Sequence, residues 1–337
     1  MRSLFVTILV LLTSAFVPAA GAKETDSITF ANQYGLTYLP FMVMQERKLV
    51  EKLVVQAGLP EPRVSYLTMG GVAPINDAIV SERAQFGAVG VPSLVQLWSK
   101  TKGNLGVKTI GAMTSAPMYL NTNNPSVNSL AQFTDKDKIA LPSVKISVQS
   151  VTLEMAAAQA FGKDNYKKLD KLTVSMPHPD AMTALLSGSA GVTAHFAGPP
   201  FQYQELNGHP EIRRVLSSYD VLGGKSTFVC VVGTETFKKE NPKTFGAVVK
   251  ALAQAQLWIV TNKEAAAELY LRTTKSSEDK KDILAQLNDP DIEFTIVPRN
   301  ILKYAEFMNE VDPKNIEHKA ASWKDLCFEN LHEMPGS

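Results

Sequence analysis

The sequence has 337 residues, 34 of them basic and 33 acidic, which gives a net charge of +1. This balance argues against nucleic acid or an anionic membrane surface as the main partner, because both require an excess of basic side chains. The length is sufficient for one large domain or two medium ones with substantial cores.

The first 22 residues have the pattern of a secretory leader. Arg2 precedes an apolar run over 4–12, and small residues end the segment at Ala20, Gly21 and Ala22. This run is too short for a comfortable membrane span, so we expect cleavage after Ala22 and no direct membrane anchor. The sequence therefore predicts a periplasmic protein.

Two cysteines, Cys230 and Cys327, occur in the chain. An oxidising compartment permits a disulfide, but two cysteines do not form a disulfide scaffold. Cys230 lies in an apolar run that is typical of a buried strand, and buried thiols are usually packing residues. We expect both thiols to be free.

Strands and helices alternate through the chain, which is typical of a parallel sheet. The first half predicts strands at 28–32, 63–67 and 86–89, with helices from 38 towards 48, from 71 through 79 and from 91 to 100. A strand pair is predicted over 107–122, interrupted at 115–117. Later strands are predicted at 138–141, 172–175, 191–197, 212–217 and 227–233, with helices at 147–161, 180–187, from 199, 242–261, 264–271, 276–287 and 300–311.

Two extended crossings, near 111–118 and 224–230, divide this pattern into two halves. Such crossings suggest two lobes with a cleft between them, which can close on a ligand by hinge motion. One continuous sheet with long insertions is the alternative, and periodicity does not separate the two.

The segment 138–150 carries the strongest sign of a binding site. A short strand leads through a polar loop to a helix that starts near Ser147, and the free backbone N–H groups of a helix start can hold an anion. Ser143, Ser147, Gln149 and Ser150 add hydroxyl and amide groups. The alternative is structural, since serine is a common N-cap residue.

No motif for metal binding or catalysis is evident. The five histidines lack HxxxH or HExxH spacing, and no GxSxG, GxGxxG or Walker loop occurs. We expect no metal, no cofactor and no enzyme activity. His195, which follows an apolar strand, has two interpretations: a donor to a ligand carboxylate or sulfonate, or a partner of a backbone carbonyl.

Several passages resemble, in the same order, the solute-binding proteins of ABC importers in the nitrate/taurine/alkanesulfonate (NitT/TauT) family. They lie at 34–40, 90–92, 138–150, 181–188 (AMTALLSG), 194–206 (AHFAGPPFQYQEL), 323–326 and 335–337. The resemblance covers nearly all of the chain after the leader.

The resemblance implies the type II periplasmic-binding-protein fold, with two α/β lobes joined by two hinge strands. Lobe 1 would contain 23–113 and 226–337, and lobe 2 would contain 114–225. The protein would capture a small organic anion, of sulfonate or carboxylate type, in the cleft and deliver it as a monomer to an ABC permease and its ATPase. A thiamine-pyrimidine-type heteroaromatic ligand is the alternative, followed by an enzyme on the same fold.

Carried over by position, the resemblance and the loops above predict twelve ligand-binding residues. They are Tyr34, Tyr38, Gly70, Gly71, Gly90, Val91, Ser115, Ser147, Gln149, Ser150, His195 and Phe196. None of these loops contains an arginine. Because a small, highly charged anion favours guanidinium donors, the sequence predicts a ligand with one polar or anionic end and an apolar body.

Overall fold

The computed structural model describes residues 24–337, so the predicted leader over 1–22 lies outside the described residues. Within this range the strands form two five-stranded sheets. The strands are β1 (Ser27–Asn32), β2 (Arg63–Thr68), β3 (Phe86–Gly90), β4 (Val107–Ser115), β5 (Tyr119–Thr122), β6 (Ile139–Leu141), β7 (Thr173–Ser175), β8 (Ala194–Ala197), β9 (Arg213–Ser217) and β10 (Thr227–Thr234).

Helices cover both sheets. They are α1 (Leu39–Glu46), α2 (Leu49–Gln56), α3 (Val72–Val80), α4 (Val91–Thr101), α5 (Val148–Phe161), α6 (His178–Ser187), α7 (Phe201–Leu206), α8 (Ser218–Leu222), α9 (Glu235–Glu240), α10 (Pro242–Thr261), α11 (Lys263–Thr274), α12 (Lys280–Asn288) and α13 (Ile301–Val311). No helix within 24–337 is long and apolar enough to cross a bilayer.

The two sheets share one topology. The first has the order β2-β1-β3-β10-β4 and the second the order β7-β6-β8-β5-β9. In each, three parallel strands are followed by one antiparallel strand that arrives from the other half of the chain, β10 in the first sheet and β5 in the second. The predicted two-lobed α/β arrangement with two crossing connections is confirmed, and the single continuous sheet is wrong.

The two strands predicted over 107–122 are present, but they do not pair with each other. β4 ends at Ser115 and pairs with β10, whereas β5 begins at Tyr119 and pairs with β8 and β9. The turn between β4 and β5 carries the chain from one sheet to the other instead of closing a hairpin. Periodicity detects both strands but does not indicate which partners they take.

Several helix boundaries differ from the predicted ones for local reasons. The first helix ends before Lys48, whose left-handed backbone (φ 48°) separates α1 from the unpredicted helix α2. In the same way, Lys275 (φ 52°) ends α11, and Asp279 caps α12 through its side chain. β8 begins only at Ala194, because the preceding residues form a turn.

Aromatic packing at the centre of the first sheet stabilises this lobe. The ring of Phe30 on β1 lies 4.9 Å from that of Tyr66 and 5.4 Å from that of Phe86, in both cases nearly parallel. The edge of Phe41 on α1 contacts Phe30 at 5.1 Å. These contacts hold α1 against β1, so the loop between them has a fixed position above the sheet.

Candidate functional site

The loop before α5 positions its serines mainly by bonds to the local backbone. The Ser147 hydroxyl accepts a hydrogen bond from the Ser150 N–H at 3.2 Å, so its predicted role as N-cap is confirmed. The Ser150 hydroxyl accepts one from the Lys145 N–H at 2.8 Å. These bonds fix the start of α5, and the Gln149 side chain in its first turn lies at the cleft.

The two lobes touch each other at this loop and at the loop after β8. The Leu36 N–H, which follows β1, donates to the Pro199 carbonyl beyond β8 at 3.0 Å. A Cβ atom added to Gly71 would lie 2.5 Å from the Pro142 carbonyl oxygen, and one added to Gly90 would lie 2.8 Å from the Val148 Cβ. Glycine is therefore required where loops of the first sheet approach the second.

A small cavity of about 10 Å³ remains between the lobes. This volume is sufficient for roughly one water molecule, so the two lobes are closed on each other. The cavity is lined by Gln33, Tyr34, Thr37, Tyr38, Val72, Gly90, Ser147, Val148, Gln149, His178, Gly198, Pro199, Phe228 and Val229.

The lining is polar but lacks permanent charge. Amide, hydroxyl and phenol groups alternate with apolar side chains. Among the described residues that line the cavity there is no Lys, Arg, Asp or Glu. His178 is the lining side chain whose usual pKa lies near neutral pH. Burial, together with neighbouring His195, holds the pKa of His178 well below its usual value.

His178 is the outer member of a buried chain of hydrogen bonds. Its Nε2 lies 3.2 Å from the Gln149 Nε2, and its Nδ1 lies 2.7 Å from the His195 Nε2. The His195 Nδ1 in turn contacts the Glu205 carboxylate, which also accepts from the Asn121 amide at 2.8 Å. The side chains of His195 and Glu205 are fully buried. A carboxylate inside lobe 2 is thus connected through two imidazole rings to the cleft.

A second, larger cavity of about 570 Å³ lies beside the first and shares Gln33 and Tyr34 with it. Aromatic side chains line much of it: Phe41, Tyr66, Phe201 and Tyr270. Tyr34, 44 % exposed, therefore faces both spaces. We refer to this space as the side cavity.

The structure brings five of the twelve predicted site residues to the small cavity. They are Tyr34, Tyr38, Gly90, Ser147 and Gln149. Gly70 and Gly71 lie at the contact between the lobes, where an added Cβ would meet Pro177 or Pro142. Val91, Ser115, Ser150, His195 and Phe196 are buried and do not line the cavity.

The sequence predictions missed several lining residues, of which His178 matters most for chemistry. It follows β7 at the start of α6, a position equivalent to that of Ser147 after β6. The carboxyl ends of neighbouring parallel strands lie at one edge of a sheet, where α/β proteins bind ligands. That rule identifies His178 once β7 and β6 are known to pair.

No protein-family model matches the chain, and a search of curated proteins finds no match either. Solved structures do match over nearly the whole chain. The periplasmic aliphatic sulphonate-binding protein SsuA of Escherichia coli is 15 % identical, with a TM-score of 0.65 over 91 % of this chain and 93 % of its own. The periplasmic nitrate-binding protein NrtA of Synechocystis is 14 % identical, with a TM-score of 0.69 over 92 % and 88 %.

The alkanesulfonate-binding protein SsuA of Xanthomonas axonopodis, bound to MOPS, is 13 % identical, with a TM-score of 0.68 over 88 % of this chain and 96 % of its own. The shared fold agrees with the two sheets and two crossings described above. The chain has the periplasmic-binding-protein fold. We call the hydrogen-bonded series His178–His195–Glu205 the histidine chain. In this fold the small cavity, the side cavity and the histidine chain all lie at or beside the interface of the two lobes.

Proposed function

We propose that the chain is the periplasmic solute-binding component of an ABC importer of the NitT/TauT family. It captures a small organic anion between its lobes and delivers it, as a monomer, to a permease driven by an ATPase. The leader would be removed after Ala22, and the lobes would comprise 23–113 with 226–337 and 114–225. The solved structures with this fold that are named above are binding proteins for sulfonates and nitrate, which supports the assignment.

The observation that carries the proposal is the convergence of polar groups from both lobes on one cleft. Tyr34 and Tyr38 come from one lobe, and Ser147, Gln149 and His178 from the other. A ligand that contacts both sets stabilises the closed form over an open one, which is the requirement for capture by hinge closure. Among the cavity-lining residues, the side chains form no nucleophile–base pair, so binding without covalent chemistry is the simplest use of the site.

The side cavity favours a second candidate ligand of the same binding function. Its aromatic walls, Phe41, Tyr66 and Tyr270, would suit a planar heteroaromatic molecule such as a thiamine-pyrimidine-type precursor. Such a ligand would place its ring near Tyr34 and its polar groups at the small cavity.

Native mass spectrometry of protein purified from the periplasm, followed by denaturation and identification of any released molecule, tests the proposal. A stoichiometric sulfonate or carboxylate supports anion capture, and a heteroaromatic base supports the second candidate. The binding function would be contradicted if the purified protein carried no small molecule and no member of a broad ligand panel stabilised it against heat.

A further inference from the structure

The histidine chain can supply a positive charge beside a cleft whose lining has no permanently charged side chain. The residues around the small cavity include no Lys or Arg within the described part of the chain, although the proposed ligand is an anion. A buried anion requires a positive partner or several donors. The chain from Glu205 through His195 to His178 is the structure next to the cavity that can change its charge.

When both imidazole rings are neutral, the Glu205 carboxylate determines which ring nitrogens of the histidine chain donate and which accept. The Glu205 carboxylate accepts, so the His195 Nδ1 carries a proton. The His195 Nε2 then accepts from the His178 Nδ1–H at 2.7 Å, and the His178 Nε2 accepts from the Gln149 amide at 3.2 Å. In this arrangement the His178 Nε2 carries a lone pair, and no proton, towards Gln149 at the edge of the cleft.

One added proton reverses this direction. A proton from solvent enters at the His178 Nε2, and the proton on the His178 Nδ1 passes to the His195 Nε2. His195 then carries two N–H groups and a positive charge beside the Glu205 carboxylate, while His178 stays neutral with its proton on Nε2. The His178 Nε2–H now needs an acceptor, because the Gln149 nitrogen that faces it is itself a donor. A bound anion in the cleft, or the Gln149 oxygen after an amide flip, can supply one. The low pKa of His178 agrees with this, because burial disfavours a charge on that ring in either arrangement.

We propose that binding of an anionic ligand in the cleft is coupled to uptake of one proton by the His178–His195–Glu205 chain. The anion accepts the hydrogen bond from the His178 Nε2–H and so selects the protonated arrangement. His178 would contact the ligand, whereas His195 and Glu205 act through it as positioning residues. The inference rests on the proposed anion capture and adds the source of the positive charge.

The surroundings of His195 leave Glu205 as its charged partner. The elements packed against β8 are β5, β6, α6 and α7. Their titratable side chains besides the chain itself are Tyr119, Asp180 and Tyr203. Asp180 is exposed, and the Tyr203 hydroxyl donates to Asp289 at 3.0 Å, with the Tyr119 ring packed on its edge. Across the cleft, Tyr34 and Tyr38 contribute phenol groups, and burial raises the pKa of Tyr38 above its usual value.

Proton linkage gives the expected size of the effect. If each bound anion takes up one proton, affinity rises tenfold for each unit by which the pH falls, between the pKa of the free chain and that of the complex. A ligand that donates to His178 instead of accepting would select the neutral arrangement and show no such increase.

The test is nitrogen NMR of ¹⁵N-histidine-labelled protein between pH 9 and pH 5, with each ring's signals assigned from the variant that lacks it. The spectra are recorded with and without saturating ethanesulfonate, benzenesulfonate or benzoate. We expect the His178 proton to move from Nδ1 to Nε2, and His195 to gain a second N–H, as the pH falls. At pH 8 an anion that binds should produce the same change. Calorimetry in two buffers should give an uptake of one proton per anion.

Glu205→Gln removes the counter-charge of His195 and should abolish both the proton uptake and the tenfold pH dependence. Glu211→Gln is the matched control, because His209 and Glu211 form an exposed pair at 3.3 Å; it should leave the uptake at one proton. A His178 proton that stays on Nδ1 throughout, or a doubly protonated His178, would overturn the inference.

The outcomes of this test distinguish failure of the proposed anion capture from failure of the inference about the histidine chain. If the hydrogen bonds reverse with pH but no anion of the panel binds, the coupling and the anionic ligand class are both wrong. If an anion binds and closes the lobes without any change in the two rings, anion capture stands and the inference about the histidine chain is wrong.

Discussion

Gly71→Ala tests whether the contact between the lobes limits closure. Gly71 precedes α3 with an extended backbone (φ −164°), a conformation that alanine adopts without strain. The added methyl group would lie 2.5 Å from both the Pro142 carbonyl oxygen and the Ser143 Oγ, whereas real Cβ contacts are almost never shorter than 3.0 Å. Both of these atoms belong to the loop before α5, so the clash exists only when the lobes are closed.

The expected magnitude follows from the cost of overpacking. Inserting a methyl group into a well-packed contact costs about 1–3 kcal/mol when the backbone has to move. Because 1.4 kcal/mol corresponds to a factor of ten, closure should become roughly 5- to 150-fold less favourable. The free energy of unfolding of an open protein should change little, since each lobe keeps its own packing.

The assay measures the distance between spin labels on the two lobes by pulsed dipolar EPR. Lys52→Cys on α2 and Thr183→Cys on α6 provide exposed attachment points. The native thiols should stay unlabelled, because Cys230 and Cys327 are free but buried, and burial raises the pKa of Cys230 to about 12. The short-distance population of the closed form should fall in Gly71→Ala.

Gly246→Ala is the matched control for this prediction. Gly246 lies in α10, and an added Cβ would meet nothing within 4 Å. This variant should keep the distance distribution of the parent protein. A Gly71→Ala protein whose distribution equals that of its parent would refute the argument that this contact limits closure.

Three further predictions concern stability, each measured by urea unfolding. Phe30→Ala removes a ring that stacks on Tyr66 and Phe86 and should cost roughly 3–5 kcal/mol. Ser147→Ala removes the N-cap bond of α5 and should cost about 1 kcal/mol. Burial raises the pKa of Glu154 from its usual 4.5 to about 8. Between these values the folded protein retains a proton that the unfolded chain has lost, so stability falls as the pH rises. Glu154→Gln should remove that fall, with a gain on the order of a few kcal/mol at pH 8.5 relative to pH 5; equal pH profiles for the two proteins would contradict it.

The sequence predicted most elements of the fold but not how the strands pair. Apolar runs bounded by turn residues located nine of the ten strands closely, because each run must be buried on a sheet. The positions of β5 and β10 within their sheets depend on contacts between distant parts of the chain. β10 pairs with β3 and β4, more than a hundred residues away, and no local pattern encodes that choice.

Some residues of the candidate site were likewise predictable from local pattern, whereas others depend on how the strands pair. Tyr34 and Ser147 lie in the loops after β1 and β6, and Gly90 ends β3, so their place at the cleft was predictable from local pattern and the carboxyl-end rule. The histidine chain was not predictable, because it needs β6 to lie between β7 and β8. That pairing brings the end of β7 close enough to β8 for His178 to reach His195, seventeen residues along the chain. Glu205 then approaches from α7 on the opposite side of His195.

The closed geometry also restricts what a ligand can be. A cavity of about 10 Å³ admits no organic molecule, so any such ligand must either hold the lobes further apart or extend into the side cavity of about 570 Å³. Gln33 and Tyr34 line both spaces and form the passage between them. A ligand with a small anionic end could place that end beside His178 and its apolar body among the aromatic rings of the side cavity. Ligand length would then determine how completely the Gly71 contact can close.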